Sequence, residues 1–149
     1  MPFTFRLESV LSLKSSQEEL VRNQLAVLNA HVTQARSISE ELERTWGDCI
    51  AEMDARRRAK RIHPERIRSE ALYLDRLNAD IRTAKLVLEQ RVSAARAKRE
   101  ELVGISRERR ILEKLKEKHQ ARYRREQDRK DATLVTELFH SGMARAKTE

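Results

Sequence analysis

The sequence predicts an all-α protein, a long two-helix antiparallel coiled-coil hairpin. Three observations carry this. Its 149 residues include only 3 Gly and 2 Pro; turns draw on those residues, so the elements are few and long. Charged residues make up 38% and hydrophobic ones 39%, in an Ala/Glu/Lys/Leu/Arg-rich mixture that suits long helices and coiled coils. The apolar positions are also strongly periodic, which separates the chain from a disordered polymer of equal polarity.

The first helix is expected over residues 4–56. Stepping alternately by four and three from Leu7 gives Leu11, Lys14, Glu18, Val21, Leu25, Leu28, Val32, Ala35, Ser39, Leu42, Trp46, Cys49 and Met53. Of these only Lys14, Glu18 and Ser39 are polar. A 3.5-residue repeat held this long marks a coiled-coil seam, and a straight helix drifts out of such a repeat unless it supercoils around a partner. Glu18–Arg22, Glu40–Arg44 and Glu52–Arg56 place acid before base at i,i+4, as on a solvated helix face.

A connection is expected over 57–64. Ala55 to Arg61 has no apolar seam residue, and Ile62-His63-Pro64 follows. Proline disfavours helix in the residue before it and suits the first helical turn. Glu65 then lies where the helix dipole favours an acid. A short connection favours antiparallel neighbours; a single kinked rod is the alternative.

The second helix is expected over 65–142, with Gly142 as its stop and 143–149 as a tail. Its seam reads Ile67, Ala71, Leu74, Asn78, Ile81, Lys85, Leu88, Val92, Ala95, Arg99 and Leu102. Folding the chain back sets Met53 opposite Ile67, Cys49 opposite Ala71, Trp46 opposite Leu74, Val32 opposite Leu88 and Leu25 opposite Ala95. Glu18 then faces Leu102, with Arg99 in the adjacent layer as a candidate register pin. Beyond Leu102 the repeat slips, and Arg109 falls outside it. Residues from roughly 115 onward are expected to lack an intramolecular partner. That overhang carries Leu134, Val135, Leu138 and Phe139, and an isolated helix of this kind is marginal in water. It is expected to be frayed until a partner orders it. The whole of 1–149 reads as one elongated domain.

Function is bounded mainly by exclusion. No phosphate-binding glycine loop is present, and His31, His63, His119 and His140 lie too far apart along a rod to converge. A helix pair offers no deep pocket, so neither an enzyme nor a cofactor or metal site is expected. The single cysteine, Cys49, cannot form an internal disulfide. The N-terminus is interrupted by charge and does not read as a secretory signal. A cytoplasmic protein is expected. The net charge of +8 favours acidic partners. Arg56, Arg57, Arg58, Lys60 and Arg61 read as a solvated tip, or as a grip on nucleic acid or an acidic protein. A basic coiled coil on nucleic acid would carry aromatic side chains among its C-terminal bases; only Tyr123 is there, so nucleic acid is not expected. Trp46, Ile50, Tyr73 and Leu77 lie near the turn and form a candidate protein-binding patch, since Trp and Tyr are favoured at interface hot spots.

Two blocks give the chain a relative. Phe3 to Lys14 (FTFRLESVLSLK) resembles the opening of the flagellar export protein FliJ family, an aromatic-x-Phe-Arg-Leu-x-x-Val-Leu-x-Leu pattern. Ser106 to Arg129 resembles its second block, built around Leu-Glu-Lys-Leu-Lys. The C-terminus departs: relatives often carry Asp-Glu-Leu where this chain has Thr136-Glu137-Leu138. The resemblance implies a stalk like the central subunit of rotary ATPases, with the free ends of the hairpin in the pore of a hexameric export ATPase. It assigns ATPase binding to Phe3, Phe5, Leu7, Leu11, Arg122, Arg125, Leu134, Leu138 and Phe139. The cytoplasmic domain of the export gate falls to Trp46, Ile50, Tyr73 and Leu77. Export chaperones are further implied partners, with peripheral association at the inner face of the membrane through those partners and a monomer when alone. At about 1.5 Å per residue, the paired arms would span about 70 Å. Alternatives are the equivalent stalk of a virulence secretion system, a nucleic-acid-binding coiled coil, and a homodimeric scaffold.

Overall fold

The computed structural model describes residues 3–146, with no strand among them. Helix α1 spans Glu8–Arg58 and α2 spans Pro64–Ala146, and the two pack against each other as an all-α hairpin. Where the sequence suggests one domain, the chain divides into two compact units: Met1–Glu18 with Gly104–Glu149 (unit 1), and Glu19–Val103 (unit 2).

The helix limits differ from the expected ones in ways that local chemistry explains. α1 begins at Glu8, not residue 4, and the Glu8 N–H donates to the Phe5 carbonyl. Phe-Thr-Phe is a poor helix start, and both rings are used elsewhere. α1 ends at Arg58, so the connection shortens to residues 59–63. Arg56, Arg57 and Arg58 fill its last turn, where cations favour the carbonyl end of the dipole. The Lys60 N–H then donates to the Arg57 carbonyl and the Arg61 N–H to the Arg56 carbonyl. This is a Schellman closure, which requires a left-handed residue usually filled by glycine. Here Lys60 takes it, with φ 54°. Pro64 opens α2, and the Ile67 N–H donates to the His63 carbonyl. At the far end α2 runs through Gly142 to Ala146. One glycine costs about 1 kcal/mol in a helix, which does not end a helix already propagating from a paired stretch. The expected stop is therefore replaced by continuous helix; residues 147–149 lie outside those described.

The α1 seam follows the expected repeat. Leu11, Glu18, Val21, Ala35 and Ser39 are buried, and Lys14, Leu25, Leu28, Val32, Leu42, Cys49 and Met53 are half-buried. Leu7 and Trp46 sit at its edge. The α2 seam needs correction in one of its two columns. Leu74, Ile81, Leu88, Ala95 and Leu102 hold, but Leu77, Ala84, Lys98 and Ile105 take the places expected for Asn78, Lys85, Arg99 and their successor. The stepping began at Ile67, which is itself exposed, so its four-three order came out reversed. Val92 and Ala71 are exposed as well.

Register also differs, by about three residues, so that Cys49 and Met53 lie level with Leu74 and Glu70. In unit 1, Glu18 meets Arg109 rather than Leu102 or Arg99. In unit 2, Arg56 reaches Glu70 at 2.8 Å, deeper in α2 than the Met53–Ile67 alignment allows. The shift is the exchange of the α2 column seen from the other helix, since replacing Ala71, Asn78 and Lys85 by Glu70, Leu77 and Ala84 moves every layer by three residues. Charge agrees with it, because this register lets Arg109 reach Glu18 and Arg56 reach Glu70. Arg109 is therefore a seam residue. Its Nε donates to Glu18 and its Nη1 to Glu113. The hydrogen bond to Glu18 holds the guanidinium pKa above its usual value, burial opposes that, and Glu113 adds to it. Lys14–Glu108 (2.5 Å) lies alongside in unit 1, and Lys85–Glu43 (2.5 Å) spans the helices in unit 2.

Two outcomes test this account. Lys60→Gly is expected to stabilise the chain by about 1 kcal/mol in urea unfolding followed by helix ellipticity, because glycine removes the left-handed penalty of an L-residue. Arg109→Leu alone should lower the urea midpoint by removing the cross-helix partner of the buried Glu18 carboxylate. Adding Glu18→Leu should recover most of that loss, since a buried pair replaced by apolar groups is often neutral.

Candidate docking surfaces

Unit 1 places its candidate residues in two settings. Phe5 and Leu11 are buried at 7% and 8% exposure, so they hold the helices together rather than face a partner. Phe5 sits edge-on to His119 with centroids 5.9 Å apart, and Phe3 tilts against Tyr123 at 5.7 Å. Lys116 pairs with Glu8 at 2.7 Å. The N-terminal segment therefore covers α2 as far as Tyr123, which corrects the expectation that partners end near residue 115. The reason is that residues 3–7 leave the helical path and lay two aromatic rings on α2. Leu7 is at the margin of exposure.

From Asp128 to Ser141 every described side chain is exposed. Leu134, Val135, Leu138, Phe139 and Met143 are each more than half exposed, and their spacing sets them on one helical face. Before them, Arg122 and Arg125 line a shallow concavity with Lys118 and Arg129. These four bases recur at four- and three-residue steps, so they form one stripe of the helix. The periodicity of this stripe was readable in the sequence.

Unit 2 divides the other candidates. Leu77 is buried at 5% exposure and belongs to the seam. Tyr73 is half exposed and lines a groove with Cys49, Met53 and Arg66. Its heptad neighbours Asp80 and Val87 line a second, longer groove of about 480 Å³ with Ile38, Leu42 and Ala84. Ile50 instead repeats, at seven residues, the position of Glu43, whose partner Lys85 flanks the opposite side of the seam. Trp46 lies between, at the seam edge. The four residues thus do not make one patch: Tyr73 and Ile50 look out on opposite flanks. The groove around Ile38 and Val87 was not singled out from sequence, although both residues stand outside the seam as uncovered apolar positions.

No three His, Cys, Asp or Glu side chains among the described residues are placed to hold a metal ion. No described helix is long and apolar enough to cross a membrane.

The family model described as flagellar FliJ protein matches residues 3–147. The chain belongs to the FliJ family. No curated protein and no solved structure matches it. FliJ proteins are non-enzymatic, coiled-coil components of flagellar type III export, and the chain is accordingly a flagellar export-related coiled-coil protein associated with that machinery. Both FliJ-like blocks lie in unit 1. The aromatic residues of the first pack on the second, so the N-terminal pattern that marks the family is a structural clasp as well as a signature.

Phe5→Ala should therefore cost about 3 kcal/mol in urea unfolding, as for a buried phenylalanine. Leu138→Ala, on the uncovered face, should change the midpoint by less than about 0.5 kcal/mol.

Proposed function

We propose that this FliJ-family chain is a stalk that couples the hexameric export ATPase to the export gate and its chaperones. The observation that carries the reading is the bare apolar face of Leu134, Val135, Leu138, Phe139 and Met143. An apolar face of this kind marks an interaction site, and here it follows the basic stripe of Arg122 and Arg125. Together they suit a ring lined by acidic and apolar side chains. Phe3 and Leu7 border the same unit, while Phe5 and Leu11 would act by shaping it.

Unit 2 supplies the second contact in this proposal. Tyr73 and its groove, with Trp46 at the seam edge, offer a surface for the cytoplasmic domain of the gate. Ile50 and Leu77 contribute little directly, one by lying on the other flank and the other by burial. The chain would act in the cytoplasm at the inner face of the membrane and be a monomer when alone. Any push or rotation requires that successive ring states bind the stalk differently.

The test is turnover by the cognate export ATPase with and without the full chain. Stimulation is expected, and Leu138→Glu/Phe139→Glu should reduce it at least tenfold with helix content unchanged. Absence of both stimulation and binding by the unaltered chain would end the stalk reading.

A further inference from the structure

The turn of unit 2 holds charge and apolar surface that the stalk reading leaves unused. Between Asp54 and Glu70 there are seven Lys and Arg against three acids, which leaves four of the chain's formal +8 in this short stretch. Arg56 and Arg66 pair with Glu70, and Arg57 stands 3.9 Å from Asp54. Arg58, Lys60, Arg61 and Arg68 have no ion-pair partner among the described residues. Arg57, Arg61, His63 and Arg66 line a small hollow together with Ile62 and Ile67.

Ile62 is the unexpected member. It is 56% exposed in the turn, and Ile67 is 45% exposed one helical turn on. A turn that only needs solvation has no use for either. The Schellman hydrogen bonds hold the backbone just before Ile62, so this apolar side chain is presented on a fixed support. The result is an apolar apex inside a cationic collar.

We infer that the turn of unit 2 binds directly to the surface of an anionic phospholipid bilayer. The collar sits against headgroup phosphates and Ile62 enters the headgroup–acyl boundary. Basic side chains near an anionic leaflet and an inserted apolar residue contribute separately to such binding. Nucleic acid would use the bases and at most the His63 ring: no Phe, Tyr or Trp lies between Asp54 and Glu70 to stack on a nucleobase, and Ile62 would be idle. The inference does not depend on the stalk reading, because it requires neither ATPase nor gate.

The experiment is co-sedimentation of the full chain with vesicles of phosphatidylglycerol and phosphatidylcholine, and with phosphatidylcholine alone. Binding is expected only with the anionic vesicles, weakening as salt rises. Arg58→Gln/Arg61→Gln should lower the partition constant about twenty-five-fold, at about fivefold per charge. Ile62→Ser should lower it roughly tenfold with the charge unchanged. Leu138→Glu/Phe139→Glu should leave it unaltered. Helix ellipticity confirms that each variant folds. Three results would overturn the inference: no anionic-vesicle binding, loss of binding in the Leu138/Phe139 variant, or indifference to Ile62→Ser with duplex DNA of equal charge bound as tightly.

Discussion

Two helices in a heptad seam can slide past each other by seven residues without any seam side chain leaving the seam, and charge within the seam is what forbids this. Glu18 is buried at 5% exposure, and a slide of seven residues that put Leu102 in the place of Arg109 would take away its cross-helix partner. Arg56 and Glu70 impose the same condition in unit 2. Such pairs add little net stability relative to apolar side chains of similar size, but their loss by misalignment is costly. Alignment therefore rests on a few ionic layers, while the apolar layers supply cohesion. Among the described residues no side chain is wholly removed from solvent, since a two-helix seam has no second layer to cover it. Cohesion is thus spread thinly along its length.

That distribution explains which parts of the fold were legible in the sequence. The all-α class and the α1 seam follow from apolar spacing alone, because each repeat from Leu11 to Met53 reinforces the phase of the last. The α2 seam is noisier. Asn78, Lys85 and Arg99 in one candidate column compete with Leu77, Ala84 and Lys98 in the other, and a starting point at the exposed Ile67 selects the wrong one. The register follows from that choice, because taking the wrong column moves every layer of the pair by three residues. Complementary charge held further information: the buried Glu18 and the half-buried Arg109 are opposite charges in the unit 1 seam, but a sequence reading that places Arg109 outside the repeat cannot use it.

The candidate surfaces were legible as residue types more than as surfaces. Leu134, Leu138 and Phe139 lacked a covering partner in sequence and lack one in the structure. Phe5, Leu11 and Leu77 are apolar for the ordinary reason that they are inside. Trp46, Ile50 and Tyr73 are close in residue pairing yet spread around the helix pair, since flanking positions on either side of a seam point apart. Proximity along a hairpin does not amount to a shared face, and heptad position decides which residues a single partner can touch. The family match brings the machinery into view, while the faces are set by these packing rules.

The five-residue connection has a further effect on a seam this thin. Because α1 and α2 are joined through residues 59–63, their meeting in unit 2 is a short-loop closure, whose entropic cost is small and grows only slowly with loop length. Each helix experiences the other at an effective concentration in the millimolar range or above. A pairing surface that includes Ser39 and half-buried ionic layers can then hold, although the same two segments as separate molecules at micromolar dilution would have far less reason to associate. Covalent continuity at the turn thereby lets the outward faces be given over to recognition without drawing on them for assembly.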